Sequence, residues 1–311
     1  MVFKLVSSLS TFEGTIKGQL MVRRNTHFVM VDGISKLMTR KGNHFWSSDF
    51  HIAGLQWRLI ISWKKAQNDN LYLHLRIIDE KCTGPNWSVK CECIFGLVDE
   101  RGNRHVLESF PARFKEVTKS YKKSIPWGLL NCFLVNDKAV FMSEIINVEA
   151  SFPVTPIARN MGTAECIKLF EVPENKSRFT WHITRFSSFT GKRHSSYEFT
   201  VGPRRWRILM YPEGKAGNFS LYLSASDYVT GSPKRPTFAN YKLRVLDQVN
   251  RNHHESGHQG WFSYDTSETS GKGTSKFMPM EELHDSSNGY LVRDQIYIGV
   301  EFLLVSITED L

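Results

Sequence analysis

Short stretches in which apolar and polar residues alternate recur along most of the chain, and they predict β-strands. In the clearest stretch, Trp206, Ile208 and Met210 fall on one side of a strand, while Arg205 and Arg207 fall on the other. Clusters of Gly, Pro, Ser and Asn between the stretches are typical of turns. Because helical periodicity is nearly absent, the pattern predicts an all-β fold built as antiparallel β-sandwiches.

The chain also repeats itself at an offset of about 150 residues, a period at which two copies indicate a duplicated domain and not a short-repeat solenoid. Three pairs of segments show the similarity between the two copies. These are Asp49-Phe50 with Trp57 against Glu198-Phe199 with Trp206, Leu71-Tyr72-Leu73 against Leu221-Tyr222-Leu223, and Phe133 to Asp137 against Tyr290 to Asp294.

The repeat divides the chain into four segments. We expect an N-terminal extension at residues 1–23, a first sandwich at 24–151, a linker at 152–175 and a second sandwich at 176–307. Each sandwich is long enough to bury a core of its own, because domains of 100 to 150 residues are the commonest size.

The second copy carries an ordered series of aromatic motifs that is specific as a set. The motifs are Phe179-Thr180-Trp181-His182-Ile183, Tyr197-Glu198-Phe199, Trp206-Arg207-Ile208, Tyr211-Pro212-Glu213-Gly214, Ser220-Leu221-Tyr222-Leu223, Phe277-Met278-Pro279-Met280 and Gly289-Tyr290-Leu291-Val292-Arg293-Asp294. This series resembles the MATH domain of the TRAF-like family, and its loops resemble those of plant tandem-MATH proteins. The first copy resembles a degenerate version. The resemblance implies an eight-stranded antiparallel sandwich that binds extended partner segments along a shallow groove.

The resemblance also implies which residues line that groove. The family has a tyrosine in the Ser-Leu-Tyr-Leu strand and an aromatic in the next strand, which fall here on Tyr222 and Tyr241. A Trp-Gly-Phe block supplies its third part, and that block is replaced here by a segment containing Ser275. In the first copy Tyr72 stands for Tyr222, whereas Cys93 occupies the place of Tyr241. The alternative is that these tyrosines only pack on the sandwich.

The net charge of +9, from 40 basic and 31 acidic residues, raises the possibility of an acidic partner. The basic residues come in small scattered sets, which is more typical of a solvated surface. A binder of nucleic acid or acidic ligands is therefore the alternative function, and it requires these sets to converge on one face. The sets are Arg23-Arg24, Lys64-Lys65, Lys119 with Lys122-Lys123, Arg204-Arg205 with Arg207, and Lys234-Arg235.

Residue types that carry chemistry do not form a recognisable reaction or metal motif. The group His253-His254-Glu255 with His258 lacks the spacing of a zinc finger or of a His-Glu-x-x-His helix. Cys91 and Cys93 fall on one face of a strand, as small core residues do. No nucleophile elbow, phosphate-binding loop or dinucleotide motif is present. We therefore expect no catalytic residues, no metal and no cofactor.

The predicted function is a non-catalytic adaptor that binds short extended peptide segments of partner proteins, mainly with its second domain. Any link to ubiquitin-dependent turnover would be made through a bound partner. The five cysteines are odd in number and irregularly spaced, which favours reduced thiols. With no signal peptide and no membrane-spanning stretch in the sequence, we expect the cytoplasm, with the nucleus left open. Because no coiled coil is present, we expect a monomer or a weak domain-mediated dimer.

Overall fold

The computed structural model describes residues 25–37, 44–64, 70–82, 86–154, 163–214, 217–232, 234–263 and 271–309. These residues form two compact units that divide between Leu169 and Phe170, with the chain from Thr308 counted in the first unit. The expected N-terminal extension at 1–23 lies outside the described residues. The strands of each unit lie in two layers of β-sheet, so the predicted all-β fold with two β-sandwiches is confirmed.

The first unit is built from β1 to β10. They are β1 (Thr26–Asp32), β2 (His44–Trp46), β3 (Phe50–Ile52), β4 (Leu55–Lys64), β5 (Asn70–Ile77), β6 (Ser88–Val98), β7 (Arg104–Lys115), β8 (Ser120–Pro126), β9 (Lys138–Ala150) and β10 (Thr163–Phe170), with helix α1 (Trp127–Asn131) and the 3-10 helix Ile34–Leu37. One sheet has the order β10-β1-β9-β6-β7. The other has the order β2-β4-β5-β8, and β3 also pairs with β4.

The second unit repeats this arrangement. Its strands are β11 (Arg178–Thr184), β12 (His194–Ser195), β13 (Phe199–Val201), β14 (Arg204–Tyr211), β15 (Asn218–Tyr228), β16 (Thr237–Val245), β17 (His254–Phe262), β18 (Lys272–Pro279) and β19 (Gln295–Glu309), with helix α2 (Met280–His284) and 3-10 helices at Glu174–Lys176, Phe186–Ser188 and Ser286–Asn288. One sheet runs β11-β19-β16-β17, and the other runs β12-β14-β15-β18 with β13 also on β14. In this order β11 corresponds to β1 and β19 to β9.

A tryptophan at the start of β4 and of β14 anchors the core of each unit. Trp57 and Trp206 are both fully buried. The indole N–H of Trp57 donates to the carbonyl of Ile52 at 3.1 Å, and that of Trp206 donates to the carbonyl of Val201 at 3.0 Å. A buried indole needs such an acceptor. The same side chain with the same bond in both units shows that the duplication kept the core.

An aspartate just before β9 and another just before β19 make the same hydrogen bonds in the two units. The Asp137 carboxylate accepts from the backbone N–H and the hydroxyl of Ser35, both at 2.8 Å. The Asp294 carboxylate accepts the same two bonds from Ser187, at 2.8 and 2.7 Å. Because both carboxylates satisfy loop donors, their role is structural.

The segment expected as a linker contains a strand. β10 pairs in parallel with β1, from Thr163 opposite His27 to Lys168 opposite Asp32. Cys166 packs with apolar side chains of β1 and β9 in a cluster separate from the core between the sheets. The sequence pattern does not indicate β10, because charged residues interrupt its short apolar stretch.

Candidate functional site

The outer face of the β2-β4-β5-β8 sheet in the first unit carries a cavity of about 360 Å³, which we call the Tyr72 cavity. Its lining includes His44, Ile60, Ser62, Tyr72, His74 and Lys122. Successive side chains of a strand point to opposite faces. On β5, Leu71, Leu73 and Leu75 are therefore buried in the core, whereas Tyr72 and His74 face outward and are half-buried.

Polar contacts fix the side chains inside the Tyr72 cavity. Ser62 Oγ lies 2.8 Å from His74 Nε2, and Lys122 Nζ lies 5.7 Å from the centre of the Tyr72 ring. Burial lowers the pKa of His74, and the positive charge of Lys122, with that of His44 when it is protonated, lowers it further. Burial also lowers the pKa of His44. Both imidazoles are therefore held in the neutral form at neutral pH.

The pair of Ser62 and His74 has the distance of a nucleophile and a base, but its setting differs from that of a catalytic pair. A catalytic base is normally oriented by a third group, most often a carboxylate. Among the described residues that line the Tyr72 cavity there is no carboxylate, and the neighbour Lys122 makes His74 less basic. The bond therefore positions two side chains on the wall of the cavity.

The matching face of the second unit presents Tyr222. Its ring is half-buried and lies 5.8 Å from the ring of Tyr211 in an edge-to-face arrangement. Beside it, β18 approaches closely: a Cβ added at Gly273 would lie 2.2 Å from the carbonyl oxygen of Leu221 and 2.6 Å from Cα of Tyr222. Glycine is therefore required at this position, and the backbone of β18 lies directly against Tyr222.

The register of the strands corrects the match between Tyr72 and Tyr222. Tyr222 on β15 lies opposite Leu209 on β14. In the first unit the counterpart of Leu209 is Ile60, and the residue opposite Ile60 is His74. Tyr72 lies two residues earlier on β5. The sequence match was wrong by two residues because a strand alternates with a period of two, so a slip of two residues leaves the apolar pattern unchanged. His74 is therefore the true counterpart of Tyr222.

The expectation that Tyr241 lines a surface groove is wrong. Its side chain is fully buried, and its hydroxyl donates to the carbonyl of Lys272 at 2.6 Å. Its ring lies 6.3 Å from that of Phe262 and 6.0 Å from that of Phe302, and burial raises the pKa of its hydroxyl. Cys93 takes the same place in the first unit and is also fully buried. Alternation along a strand does not distinguish the core face from the outer face, which is the reason for the error.

Ser275 lies on β18 and is half-buried. The register of β18 shifts opposite the stretch from Phe219 to Leu221. There the carbonyl of Ser275 accepts a hydrogen bond from the hydroxyl of Ser220 at 2.8 Å. The residue thus sits at an irregularity of the edge strand next to Tyr222, and its contact with a peptide stays a prediction.

A second, more polar cavity of about 520 Å³ lies on the outer face of the β12-β14-β15-β18 sheet. Its lining includes Arg193, Glu198, Arg207, Ser224, Asp227 and Lys234. Glu198 pairs with Arg207 at 3.0 Å and with Arg205 at 3.7 Å, whereas Arg204 is buried. These arginines therefore do not form an open basic patch. The sequence pattern does not indicate this cavity, because its residues lie on separate strands and loops between residues 193 and 234.

The remaining candidate groups have structural surroundings. Asp247 donates its backbone N–H to His253 Nδ1 at 3.1 Å, and His254 Nδ1 lies 3.5 Å from a carboxylate oxygen of Glu282. In the part of the chain that the structure describes, no three His, Cys, Asp or Glu side chains are grouped so as to hold a metal ion. All five cysteines are free thiols. None of the described helices is long and apolar enough to cross a membrane.

A sequence model of the MATH domain family matches residues 26–145 and 178–302. Since these matches cover most of the chain and coincide with its two β-sandwiches, the chain belongs to the MATH domain family as a tandem-MATH protein.

Two proteins of Arabidopsis thaliana illustrate the similarity to known relatives. Ubiquitin C-terminal hydrolase 12 is 35% identical over 128 residues, which are 40% of this chain and 11% of the hydrolase. A MATH domain and coiled-coil domain-containing protein is 32% identical over 132 residues, which are 40% of this chain and 38% of that protein. The chain therefore matches only a small part of the hydrolase and well under half of the second protein.

Among solved structures, the N-terminal tandem CBM22 domain of Xyn10C from Paenibacillus barcinonensis covers 86% of this chain and 92% of its own. The sequence identity is 7% and the TM-score is 0.15, a value too low to indicate a shared arrangement.

Proposed function

We propose that the chain is a non-catalytic adaptor that binds extended peptide segments of partner proteins on the outer faces of its β2-β4-β5-β8 and β12-β14-β15-β18 sheets. The observation that carries this proposal is the position of the Tyr72 cavity beside an edge strand. Within the described residues, β8 pairs with β5 only. Its free edge can give main-chain hydrogen bonds to an added strand, while the cavity accepts a side chain of that strand.

The two units offer different surfaces to such a segment. The Tyr72 cavity combines apolar contact from Ile60 and Tyr72 with polar groups of Ser62 and Lys122. Such a lining suits a side chain with an apolar body and a polar or acidic end. The second unit offers Tyr222, in contact with another tyrosine, beside β18. Two segments of one partner that engage both faces would bind more tightly than either alone, because the second binding event is intramolecular.

We also propose that any role in ubiquitin-dependent turnover is exerted through the bound partner. The support is that a protein named as a ubiquitin hydrolase contains a region similar to this chain. In the Tyr72 cavity, by contrast, no carboxylate among the described lining residues orients His74 as a base. The proposed location is the cytoplasm, with the nucleus as a second compartment, and the proposed state is a monomer or a weak domain-mediated dimer.

The proposal is tested by selecting a displayed random-peptide library against the full chain and measuring the Kd of the selected peptides. We expect Tyr72→Ala to raise the Kd of peptides selected on the first unit by at least about tenfold, a change of about 1.4 kcal/mol. Tyr222→Ala should do the same for peptides selected on the second unit. Tyr241→Phe is the matched control, because it changes a tyrosine inside the core. The same peptides should bind this variant unchanged.

Two results would overturn the proposal. Selected peptides that bind all three variants with equal affinity would place the binding surface elsewhere. Recovery of only nucleic acid or acidic polymers, with affinity that falls steeply with salt, would favour the alternative function of a basic-surface binder.

A further inference from the structure

β11 and β1 are counterparts, and they differ in what lies along their second edge. β1 pairs with β9 on one edge and with β10 on the other. β11 pairs with β19 on one edge. Among the described residues no strand pairs with its other edge. An open edge of this kind is a template for an added strand.

The hydrogen-bond phase shows which backbone groups of β11 point to the open edge. The N–H of Phe302 donates to the carbonyl of Ser177 at 2.7 Å. Bonded and non-bonded pairs alternate in an antiparallel ladder. The N–H and C=O groups of Arg178, Thr180 and His182 therefore point away from β19. The side chains of these three residues are exposed, so the edge is accessible.

The hydrogen bonds of β1 alternate in the same way, but there the backbone groups that point away from β9 face a paired strand, β10. The N–H of Ile145 donates to the carbonyl of Asn25 at 3.0 Å. By the same alternation, Phe28 and Met30 point their backbone groups toward β10. Both residues are fully buried in the first unit. The counterpart of Phe28 in β11 is Thr180, which is exposed.

The open edge adjoins aromatic side chains that the first unit covers. His27 and Phe50 stack at 3.8 Å and are only 3% and 4% exposed. Their counterparts Phe179 and Phe199 stack at 4.0 Å but are only half-buried. Nearby in the chain, Tyr197 is 85% exposed, the highest value among the exposed large apolar side chains of the described residues. An exposed aromatic surface next to an unpaired strand edge is characteristic of an interaction site.

The first unit also shows what chemistry the second unit selects. On β10, Glu165 accepts from the backbone N–H of Ser48 at 2.9 Å, and its carboxylate lies 3.5 Å from His27 Nε2. Tyr197 and Phe179 stand in the places of Ser48 and His27. The phenyl ring of Phe179 thus replaces the imidazole beside the carboxylate, and Tyr197 brings an aromatic ring to the position of Ser48, so an apolar residue fits where β10 has a carboxylate.

We propose that the open edge of β11 binds an extended segment of a partner protein as a parallel strand, in the place that β10 takes on β1. An apolar side chain of that segment covers Phe179, Phe199 and Tyr197, and its neighbours on the other face are polar, facing Thr180 and His182. This surface lies on the sheet opposite to that of Tyr222, so the inference stands independently of the proposed peptide groove.

The test uses the full chain and a labelled peptide with the sequence of residues 163–170 that carries Glu165→Leu and Cys166→Ser. We expect the peptide to bind, and its counterpart that keeps Glu165 to bind about tenfold more weakly. Thr180→Pro removes an N–H that points to the open edge but takes no part in pairing with β19. It should weaken binding at least tenfold, whereas Thr180→Ser, which keeps the N–H, should leave the Kd unchanged. Fluorescence anisotropy gives the Kd values.

Hydrogen exchange on the intact chain provides a readout that does not depend on the folding of the proline variant. The peptide should slow exchange of the Thr180 and His182 amides at least tenfold. Binding that Thr180→Pro leaves unchanged, or exchange at these amides that the peptide does not slow, would overturn the proposal. Self-association through β11 that excludes the peptide would also overturn it. Tyr72→Ala and Tyr222→Ala should not affect this peptide, so failure here is distinguishable from failure of the peptide groove.

Discussion

The outer faces of β4-β5 and β14-β15 occupy equivalent places in the two units, and they carry different chemistry. In the first unit Ser62 bonds to His74, and in the second Tyr211 contacts Tyr222 at the same two positions. The buried faces of the same strands keep Trp57 and Trp206 with identical hydrogen bonds. The duplicated sandwich therefore keeps the tryptophan that anchors its interior, while the outer faces of the same strands have changed.

The largest expected effect tests the shared interior. Trp57→Ala and Trp206→Ala should each lower the free energy of unfolding of their own unit by about 3–5 kcal/mol, because each removes a fully buried indole and leaves a cavity. Denaturant titration of each variant, followed by circular dichroism, measures the loss. Loss in only one of the two variants would show that the two cores are not equivalent. Conservative Phe replacements at the same positions should cost less in both units.

The fold was predictable because its signals are local and repeated. Period-two stretches such as Trp206 to Met210 give strands directly, and the recurrence of Phe50 with Trp57 as Phe199 with Trp206 gives the duplication. The motifs of the second copy correctly indicated the MATH domain.

The candidate site was only partly predictable, because it depends on which face of a strand is buried. Tyr72 and Tyr222 were correctly placed on strands and lie on outer faces, but Tyr241 points into the core. That choice is made by the neighbouring strands, which the local sequence does not specify. The contribution of His74 was missed for the same reason, since a lone histidine in a strand gives no distinct signal.

A smaller effect is expected at a buried position where the two interiors differ. Arg204 is buried and occupies the place that Leu55 takes in the first unit. Its guanidinium donates to the carbonyl of Ser226 at 3.0 Å and lies 3.2 Å from the hydroxyl oxygen of Tyr228. Arg204→Met should cost about 1–3 kcal/mol of unfolding free energy, because it leaves buried acceptors without a donor.

The matched change in the first unit is Leu55→Met, which keeps an apolar side chain of similar volume and should cost less than about 1.5 kcal/mol. Thermal and denaturant unfolding of the two variants give the comparison. Equal losses would contradict it, because they would mean that the polar contacts of Arg204 contribute nothing beyond packing.

The smallest effect concerns pH and the outer face. Burial, with Lys122 and His44 nearby, holds the pKa of His74 below its ordinary value. The unfolded chain therefore binds more protons than the folded chain as the pH falls below about 6.5. This residue makes the first unit less stable on acidification, and the effect is complete below the pKa that His74 has in the folded chain.

His74→Tyr, which installs the residue of the second unit, should reduce the loss of stability between pH 7.5 and 5.5. His74→Gln, which also cannot titrate, should have the same effect, and denaturant midpoints across this range measure it. A pH dependence that neither variant changes would show that other groups account for the acid sensitivity. The difference between the two outer faces would then be one of shape alone.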